Sequence, residues 1–279
     1  MRVQKDTGVV IYTEPFDDTP SSVSATATRA SSGAAISPAP TTTVSGNRVK
    51  VTLTAADHTN ALDDLTVVVS ATVDGLTTKQ TIMVEVVRAH YMTIGALRDE
   101  KQLDDAQRYP DALVAEVRDE LTEYVEQAAS VAFSPRFGSE AHIGDGSSHL
   151  VLMTNQVRTI TSVTVDGVAQ SLADFDLLAG DTLVRPSGMA FTAGKAVVIQ
   201  FEHGHDTPPM KLVREMKKAV RTELLARGAQ APSNMLWEQT ADGLTVRYST
   251  PDWSAGRYTG TMSLDAAIHA YSAPRLGFA

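Results

Sequence analysis

Residues 197–227, VVIQFEHGHDTPPMKLVREMKKAVRTELLAR, contain a strand, a turn and a long helix in immediate succession. The first five residues are mostly β-branched or aromatic, which is typical of a strand. Gly204 lies in a polar turn, where glycine readily adopts positive φ. Pro208 and Pro209 fit a first helical turn, where a missing N–H costs little, so the sequence predicts a helix from Met210. We expect the rest of the chain to pack around this strand–turn–helix segment.

The predicted helix has an apolar face and a basic face. Its apolar residues recur three or four positions apart, which places them on one side of a helix: Val213, Met216, Val220 and Leu224. Its basic residues fall mostly off that side: Lys211, Arg214, Lys217, Lys218 and Arg221. Such a face is usually solvated, but it equally suits a contact with an acidic surface. Gly228 is expected to end the helix.

A second amphipathic helix, predicted over 110–133, is acidic. Pro110 fits the first helical position, Asp111 favours the positive end of the helix dipole, and Ser134-Pro135 ends the pattern. The residues expected to face the core are Leu113, Val117, Leu121, Tyr124 or Val125, and Ala128. The opposite face is expected to carry Glu116, Asp119, Glu120, Glu123 and Glu126. Opposite charges on two helices of one subunit suit a head-to-tail contact between copies, which closes into a ring if the rotation permits.

Residues 1–90 are rich in Thr, Ser and Val and show almost no helical periodicity. Asp74-Gly75 is a strong hairpin turn. Short strands with regular turns and no helices favour a β-sandwich of immunoglobulin-like kind, although the Cys…Trp…Cys core is absent. The predicted strands are 9–13, 22–30, 48–55, 65–73 and 77–87.

Between the two long helices the sequence predicts a small β-unit, inserted at about 140–202. Its expected strands are 150–153, 157–165, 176–184 and 197–201. Thr93 is expected to cap a short helix through Leu97. After the basic helix, strands over 236–239 and 244–248 flank the turn Ala241-Asp242-Gly243, and a last short helix runs from Ser263 to Tyr271.

These elements predict an α+β multidomain protein. Residues 1–90 form the immunoglobulin-like β-sandwich. Residues 91–279 form a helical domain that holds the β insertion and ends in an arm at about 259–279.

Composition excludes several classes of protein. The net charge of −9 argues against a protein that grips nucleic-acid phosphates, although DNA could still pass by without being held. The absence of cysteine excludes disulfides and thiolate metal sites. The sequence has neither a run of about 18 apolar residues nor a secretory signal, so we expect no membrane span and no secretion by that route.

Two patterns could carry chemistry, but each has a simpler interpretation. His203, His205 and Asp206 could bind a metal, with His142 or His149 as a further ligand, yet a real site needs three or four converging ligands. The loop Gly144-Asp145-Gly146-Ser147-Ser148 could hold a phosphate, but it lacks the Lys and helix of a P-loop, and Gly194-Lys195 is followed by Ala196. We predict no catalytic residue, metal or cofactor; an enzyme acting on sugars or phosphates through His203, His205 and Asp206 is an alternative.

Four pieces of the sequence between about 91 and 279 resemble a known family in their order and spacing. They are Tyr109-Pro110 before the acidic helix, Phe133-Ser134-Pro135-Arg136 after it, FEHGHDTPP at 201–209 and YTGTMSLDAAI at 258–268. Together they are similar to the head-to-tail connector (adaptor) proteins of long-tailed bacteriophages. Residues 1–90 depart from the minimal pattern of that family.

The resemblance implies a helical connector domain with a β insertion, in a ring, usually of twelve copies in this family, beneath the portal. It implies a portal protein and a head-tail stopper or tail terminator as partners, DNA that only passes through the channel, and no membrane. The expected location is the virion neck after assembly in the host cytoplasm. The C-terminal segment of this family reaches towards the portal, so the candidate portal contacts are Leu264, Tyr271, Arg275, Leu276 and Phe278. The candidate inter-subunit residues are Lys211, Arg214, Lys218, Arg221, Glu116, Glu120 and Glu123.

The leading functional hypothesis is therefore a non-enzymatic neck protein that joins portal to tail. The alternative is a capsid or neck decoration, or a host-binding module, carried by the N-terminal sandwich.

Overall fold

A computed structural model of the chain describes residues 1–100, 102–186, 189–228, 238–241, 244–247, 259 and 261–272. These residues form β-strands and four α-helices, which confirms the α+β class. The chain divides into two compact units: Met1–His90 with Ser134–His205, and Tyr91–Phe133 with Asp206–Ala279. The β insertion therefore clusters with the N-terminal strands, and the sequence domains 1–90 and 91–279 stay predictions. No helix among the described residues combines the length and hydrophobicity that a membrane span requires.

The first ninety residues fold into two sheets around one apolar core. Their strands are β1 (Arg2–Gln4), β2 (Val9–Tyr12), β3 (Ser22–Arg29), β4 (Thr41–Ser45), β5 (Arg48–Leu53), β6 (Asp63–Val73) and β7 (Leu76–Val87). One sheet has the order β1-β7-β6-β3 and the other β2-β5-β4. Buried valines and leucines from both sheets fill a common core. The five predicted strands are present, β1 and β4 are additional, and the immunoglobulin-like kind stays a prediction.

The hairpin between β6 and β7 forms as the sequence predicts. Val73 pairs with Leu76, and the two residues between them have positive φ, 50° at Asp74 and 78° at Gly75. Positive φ at both central residues is the type I′ turn, whose twist matches that of the flanking strands. The turn therefore sets the register of the longest strand pair in this unit.

The second β-region contributes two further sheets to the same unit. Its strands are β8 (Arg136–Ile143), β9 (His149–Val151), β10 (Val157–Val165), β11 (Val168–Ala169), β12 (Asp176–Leu178), β13 (Thr182–Val184) and β14 (Ala196–His203). The sheet orders are β11-β10-β14-β8 and β12-β13-β9, and both sheets supply residues to one core. Strand β8 was not predicted from the sequence, because Gly138 interrupts its alternation of residues. A Cβ at Gly138 would lie 2.5 Å from the Phe201 ring, so glycine is required by packing across the strand pair.

The two β-regions are joined within this unit by an ionic contact. Glu85 on β7 accepts hydrogen bonds from Arg2 (2.6 Å) and from Arg136 on β8 (2.7 Å). Burial alone would raise the pKa of Glu85, but the guanidinium groups of Arg136 and Arg2 lower it. Gln200 on β14 also donates to the backbone oxygen of Ser31 (2.7 Å). The N-terminal strands are thus fixed to the β insertion.

The second unit contains the four helices. They are α1 (Ile94–Arg98), α2 (Asp111–Ala129), α3 (Met210–Gly228) and α4 (Met262–Tyr271), with a hairpin of β15 (Glu238–Ala241) and β16 (Leu244–Arg247). Thr93 caps α1 by accepting a hydrogen bond from the Ala96 N–H, as predicted. Apolar residues of all four helices form one core. The structure therefore confirms the helices, with boundaries shifted by a few residues.

Several local predictions about the long helices and the opening segment are wrong. Pro110 is the N-cap of α2 and not its first helical residue, and α2 ends at Ala129, where Ser130 adopts a left-handed conformation. On α3, Leu212 and not Val213 joins the buried row. The strand and the helix of 197–227 also belong to different compact units, which the sequence did not predict.

Replacing Gly144 tests the packing of the β insertion. A Cβ there would collide with the Thr192 carbonyl oxygen and lie 2.8 Å from that of Phe191. Because these are backbone atoms that cannot rotate away, we expect Gly144→Ala to cost roughly 1–3 kcal/mol of stability in urea unfolding. Gly8→Ala is the matched control, since its nearest atom would be 3.5 Å away. Equal midpoints for both variants would contradict the packing described.

Asp64, which faces Glu85 across the β6–β7 pair, should make the stability of the first unit depend on pH. Burial, followed by the charges of Glu85 and Asp63, raises the pKa of Asp64 to about 6 from 3.8. A carboxyl group whose pKa is higher in the folded than in the unfolded state contributes stability to the fold at acid pH. This contribution is lost as pH rises through about 6. Asp64→Asn should therefore gain stability relative to wild type between pH 4 and 7, by roughly 1 kcal/mol after allowing for partial exposure. A difference in melting temperature that does not change with pH would show that this cause is wrong.

Candidate functional site

The charged surfaces of α2 and α3 form the candidate site, and one arginine connects the two helices. Arg227, in the last turn of α3, donates to Glu116 (3.3 Å) and Glu120 (2.5 Å) in the first half of α2. The last turn of α3 therefore lies beside the part of α2 that carries Glu116 and Glu120. The sequence interpretation did not include Arg227, although its i,i+4 spacing from Glu223 was a visible signal.

An acidic pole forms at this end of the helix pair. We define it as Glu116, Glu120 and Glu223 around Arg227, which also donates to Glu223 at 3.1 Å. Three carboxylates surround one guanidinium, so the pole keeps a net charge of about −2 at neutral pH. Two of the predicted inter-subunit residues, Glu116 and Glu120, are therefore already bonded within their own chain.

A basic surface lies on the first half of α3. Arg214 and Lys218 are largely exposed, and both bond to Glu215, at 3.2 Å and 3.0 Å. Glu215 itself is only 4% exposed. Hydrogen bonds from Lys218 and then from Ser263 on α4 lower the pKa of Glu215. The carboxylate thus holds two cations at the surface and ties α3 to the start of α4.

The remaining predicted charges occupy different environments. Lys211 and Glu123 are exposed, and Glu123 accepts a hydrogen bond from Gln127 at 3.4 Å. Arg221 donates to Gln102 at 2.8 Å, in the segment between α1 and α2. Asp119 pairs with Arg118 (2.8 Å). The prediction that Glu126 lies on the exposed acidic face is wrong.

Glu126 is buried because two neighbours supply hydrogen bonds to it. It accepts one from the Tyr91 hydroxyl and one from the Phe133 N–H at 3.0 Å. A carboxylate can be removed from water only when such partners compensate for the lost hydration. Helical spacing could not reveal this, since both partners lie outside α2.

The candidate portal contacts are divided between described and undescribed residues. Leu264 is 1% exposed and belongs to the helical core, while Tyr271 is half-buried against the same core. Arg275, Leu276 and Phe278 lie outside the described residues. All five stay predictions, with Leu264 placed to hold α4 in position.

In the two candidate chemical sites, the 144–148 loop and the histidines at 203 and 205, the polar groups contact neighbouring residues of the protein. The N–H groups of Gly144 and Gly146 donate to backbone oxygens at 2.8 Å and 2.9 Å, and that of Ser147 donates to Asp145. These N–H groups therefore donate to oxygens of the protein itself and do not indicate a phosphate site. His203 packs edge-on against Phe201, and His205 bonds to Gln156 at 2.8 Å. Within the part of the chain that the structure describes, no three His, Asp or Glu side chains form a group that could hold a metal.

Comparisons with known proteins found structural similarities but no sequence relatives. No protein-family model matches the sequence. No curated protein matches it either. Among solved structures, the chain is similar to a chain of one described as "Neck of empty GTA particle computed with C6 symmetry". The sequence identity is 17% and the TM-score 0.42, over 68% of this chain and 93% of the other.

Removing Arg227 tests the internal pairing of the acidic pole. Arg227→Ala leaves three carboxylates facing one another, so we expect a loss of about 0.5–1 kcal/mol at low salt. The loss should shrink at about 1 M salt, where charges are screened within roughly 3 Å. Arg214→Ala is the matched control, because Lys218 still holds Glu215. Urea unfolding at both salt concentrations measures the effect, and a loss that salt leaves unchanged would contradict the pairing.

Proposed function

We propose that this protein is a structural component of a bacteriophage neck, where copies form a ring that joins the portal to the tail. The observation that carries the proposal is the separation of opposite charges along α3, with cations around Glu215 in its first half and carboxylates around Arg227 in its last turn. The ordered motifs that resemble connector proteins identify the kind of assembly to which such a subunit would belong.

The positions of the two charged regions suit a head-to-tail contact. Arg214 and Arg227 are thirteen residues apart on α3, which corresponds to about 20 Å along the helix. The basic surface of one copy can therefore contact the acidic pole of the next copy, because it lies too far from the acidic pole of its own subunit to pair with it. A contact between two different patches repeats around an axis and closes into a ring when the rotation permits. Twelve copies is the number that the resemblance implies.

The proposed inter-subunit residues follow from this arrangement. Lys211, Arg214, Lys218 and Arg221 provide the cations, and Glu116, Glu120 and Glu123 face them from the neighbouring copy. Glu123 has no role in the Arg227 cluster, and Glu116 and Glu120 retain excess negative charge beside Arg227. Charge complementarity of this kind sets register and excludes wrong partners more than it adds affinity.

The portal is the proposed partner of the C-terminal segment, through Tyr271, Arg275, Leu276 and Phe278, with Leu264 anchoring α4. A stopper or tail terminator is the proposed partner on the tail side. An overall charge of −9 suits a channel that lets DNA pass without holding it. We place the protein in the virion neck after assembly in the host cytoplasm.

Residues 1–90 are proposed to be a fixed peripheral part of the ring. Support comes from the contacts of Glu85 with Arg2 and Arg136, and of Gln200 with Ser31, which tie the N-terminal strands to the β insertion. A module held by such contacts moves with the insertion. This favours a structural role over that of a freely tethered host-binding module.

Charge reversal tests the proposed contact. Lys218→Glu with Arg221→Glu should weaken ring formation roughly tenfold or more at low salt, because two attractive pairs become repulsive. Adding Glu123→Lys to that variant should restore part of the loss. Lys79→Glu, at an exposed position on β7, is the control. Mass photometry with and without purified portal, and electron microscopy of particles, would measure assembly.

Normal rings from the reversed variant at both low and high salt would refute this pairing. A wild-type protein that stays monomeric with portal and is absent from virions would refute the proposed function.

A further inference from the structure

Two exposed methionines mark one region of the helical unit. Met210 is 79% exposed and Met262 is 81% exposed, and no other large hydrophobic side chain is so exposed among residues 91–100, 102–133, 206–227 and 262–271 of this unit. Each is the first residue of its helix, α3 and α4 respectively. Exposed apolar residues that occur together often mark an interaction site.

The two methionines border the basic surface. Met210, Arg214 and Lys218 are spaced four residues apart, so they follow one another along the same face of α3. Met262 precedes Ser263, whose hydroxyl bonds to Glu215, the carboxylate that holds Arg214 and Lys218. The first half of α3 and the adjacent start of α4 thus carry both thioethers and cations, a set that we call the methionine–basic surface: Met210, Arg214, Lys218 and Met262.

We propose that a second copy of this chain docks on the methionine–basic surface through its acidic pole. This inference rests on the proposed ring and adds its apolar contact. The sign of the surface requires an acidic occupant, and the same chain supplies one with a net charge of about −2. Leu113 and Tyr124, at seven and four residues from Glu120 on α2, pack against the helical core and are half-buried. Their exposed parts give the acidic pole an apolar border for the thioethers.

Each component of the surface has a distinct physical role. The cations direct the approach and register of the neighbour, and salt weakens them. The methionines supply apolar burial that salt does not screen, and their flexible, polarisable side chains adapt to an aromatic ring such as that of Tyr124. Energy in interfaces concentrates in a few residues that become buried on binding, and the exposed thioethers of Met210 and Met262 are available for such burial.

Methionine oxidation tests the proposal directly. Hydrogen peroxide converts exposed methionine to the sulfoxide, which mass spectrometry locates by residue. In the free chain Met210, Met262 and Met153 should all oxidise, since Met153 is 84% exposed in the β insertion. In assembled rings or intact particles, oxidation of Met210 and Met262 should slow roughly tenfold or more, as expected of buried thioethers. Met153 should be unchanged.

A paired set of variants provides the second measurement. Met210→Ser with Met262→Ser should weaken assembly on the portal roughly tenfold or more, while Met153→Ser assembles normally. Circular dichroism confirms that each variant is folded. Rings that form with Met210 and Met262 still freely oxidised would overturn this inference and leave the proposed function standing. Failure of the wild type to assemble with portal or enter virions would overturn both.

Discussion

The helical unit depends on a buried hydrogen-bond network centred on Glu126. The chain begins this unit at Tyr91 and leaves it after Phe133, and both residues bond to the same carboxylate near the end of α2. On the other side of these two points, Ser134 bonds to Ala89 within the first unit. The segments around Tyr91 and Phe133 are therefore held together by contacts that do not involve α3. The surface of α2 can be in place when the chain returns, after the whole of the second β-region, to supply α3.

Much of the architecture could be predicted because it is determined locally. The apolar alternation of β5, the Asp74-Gly75 turn and the Thr93 cap depend on neighbours within a few residues, and all three formed as predicted. Strand β8 was missed because its glycine is selected by the Phe201 ring on another strand. On α3, the spacing of apolar residues predicted which side of the helix is buried, but not which residues lie at the middle of that side. Leu212 and not Val213 meets the core, because packing against α2 and α4 decides the rotation.

The charged surface was harder to predict because charges pair across long separations. The two helix faces were assigned the correct signs, yet Glu126 proved to be buried and Glu116 and Glu120 proved to be bonded to Arg227. Helical spacing tells which residues share a face. It does not tell which cation, more than a hundred residues away, will reach that face. The contacts of Arg227 and Glu215 were needed to show that the opposite charges lie towards opposite ends of α3.

Each charged region is organised around one residue of the opposite sign. Arg227 holds three carboxylates in the acidic pole, and Glu215 holds Arg214 and Lys218 in the methionine–basic surface. A central counter-charge reduces repulsion within the group and fixes its side chains before any partner arrives. Binding then orders fewer rotamers, which lowers the entropy cost of association. Since neither counter-charge cancels its group, the residual signs remain opposite, and a second copy presents the complement of each surface. The same two internal contacts that stabilise the subunit would thus prepare it for the ring.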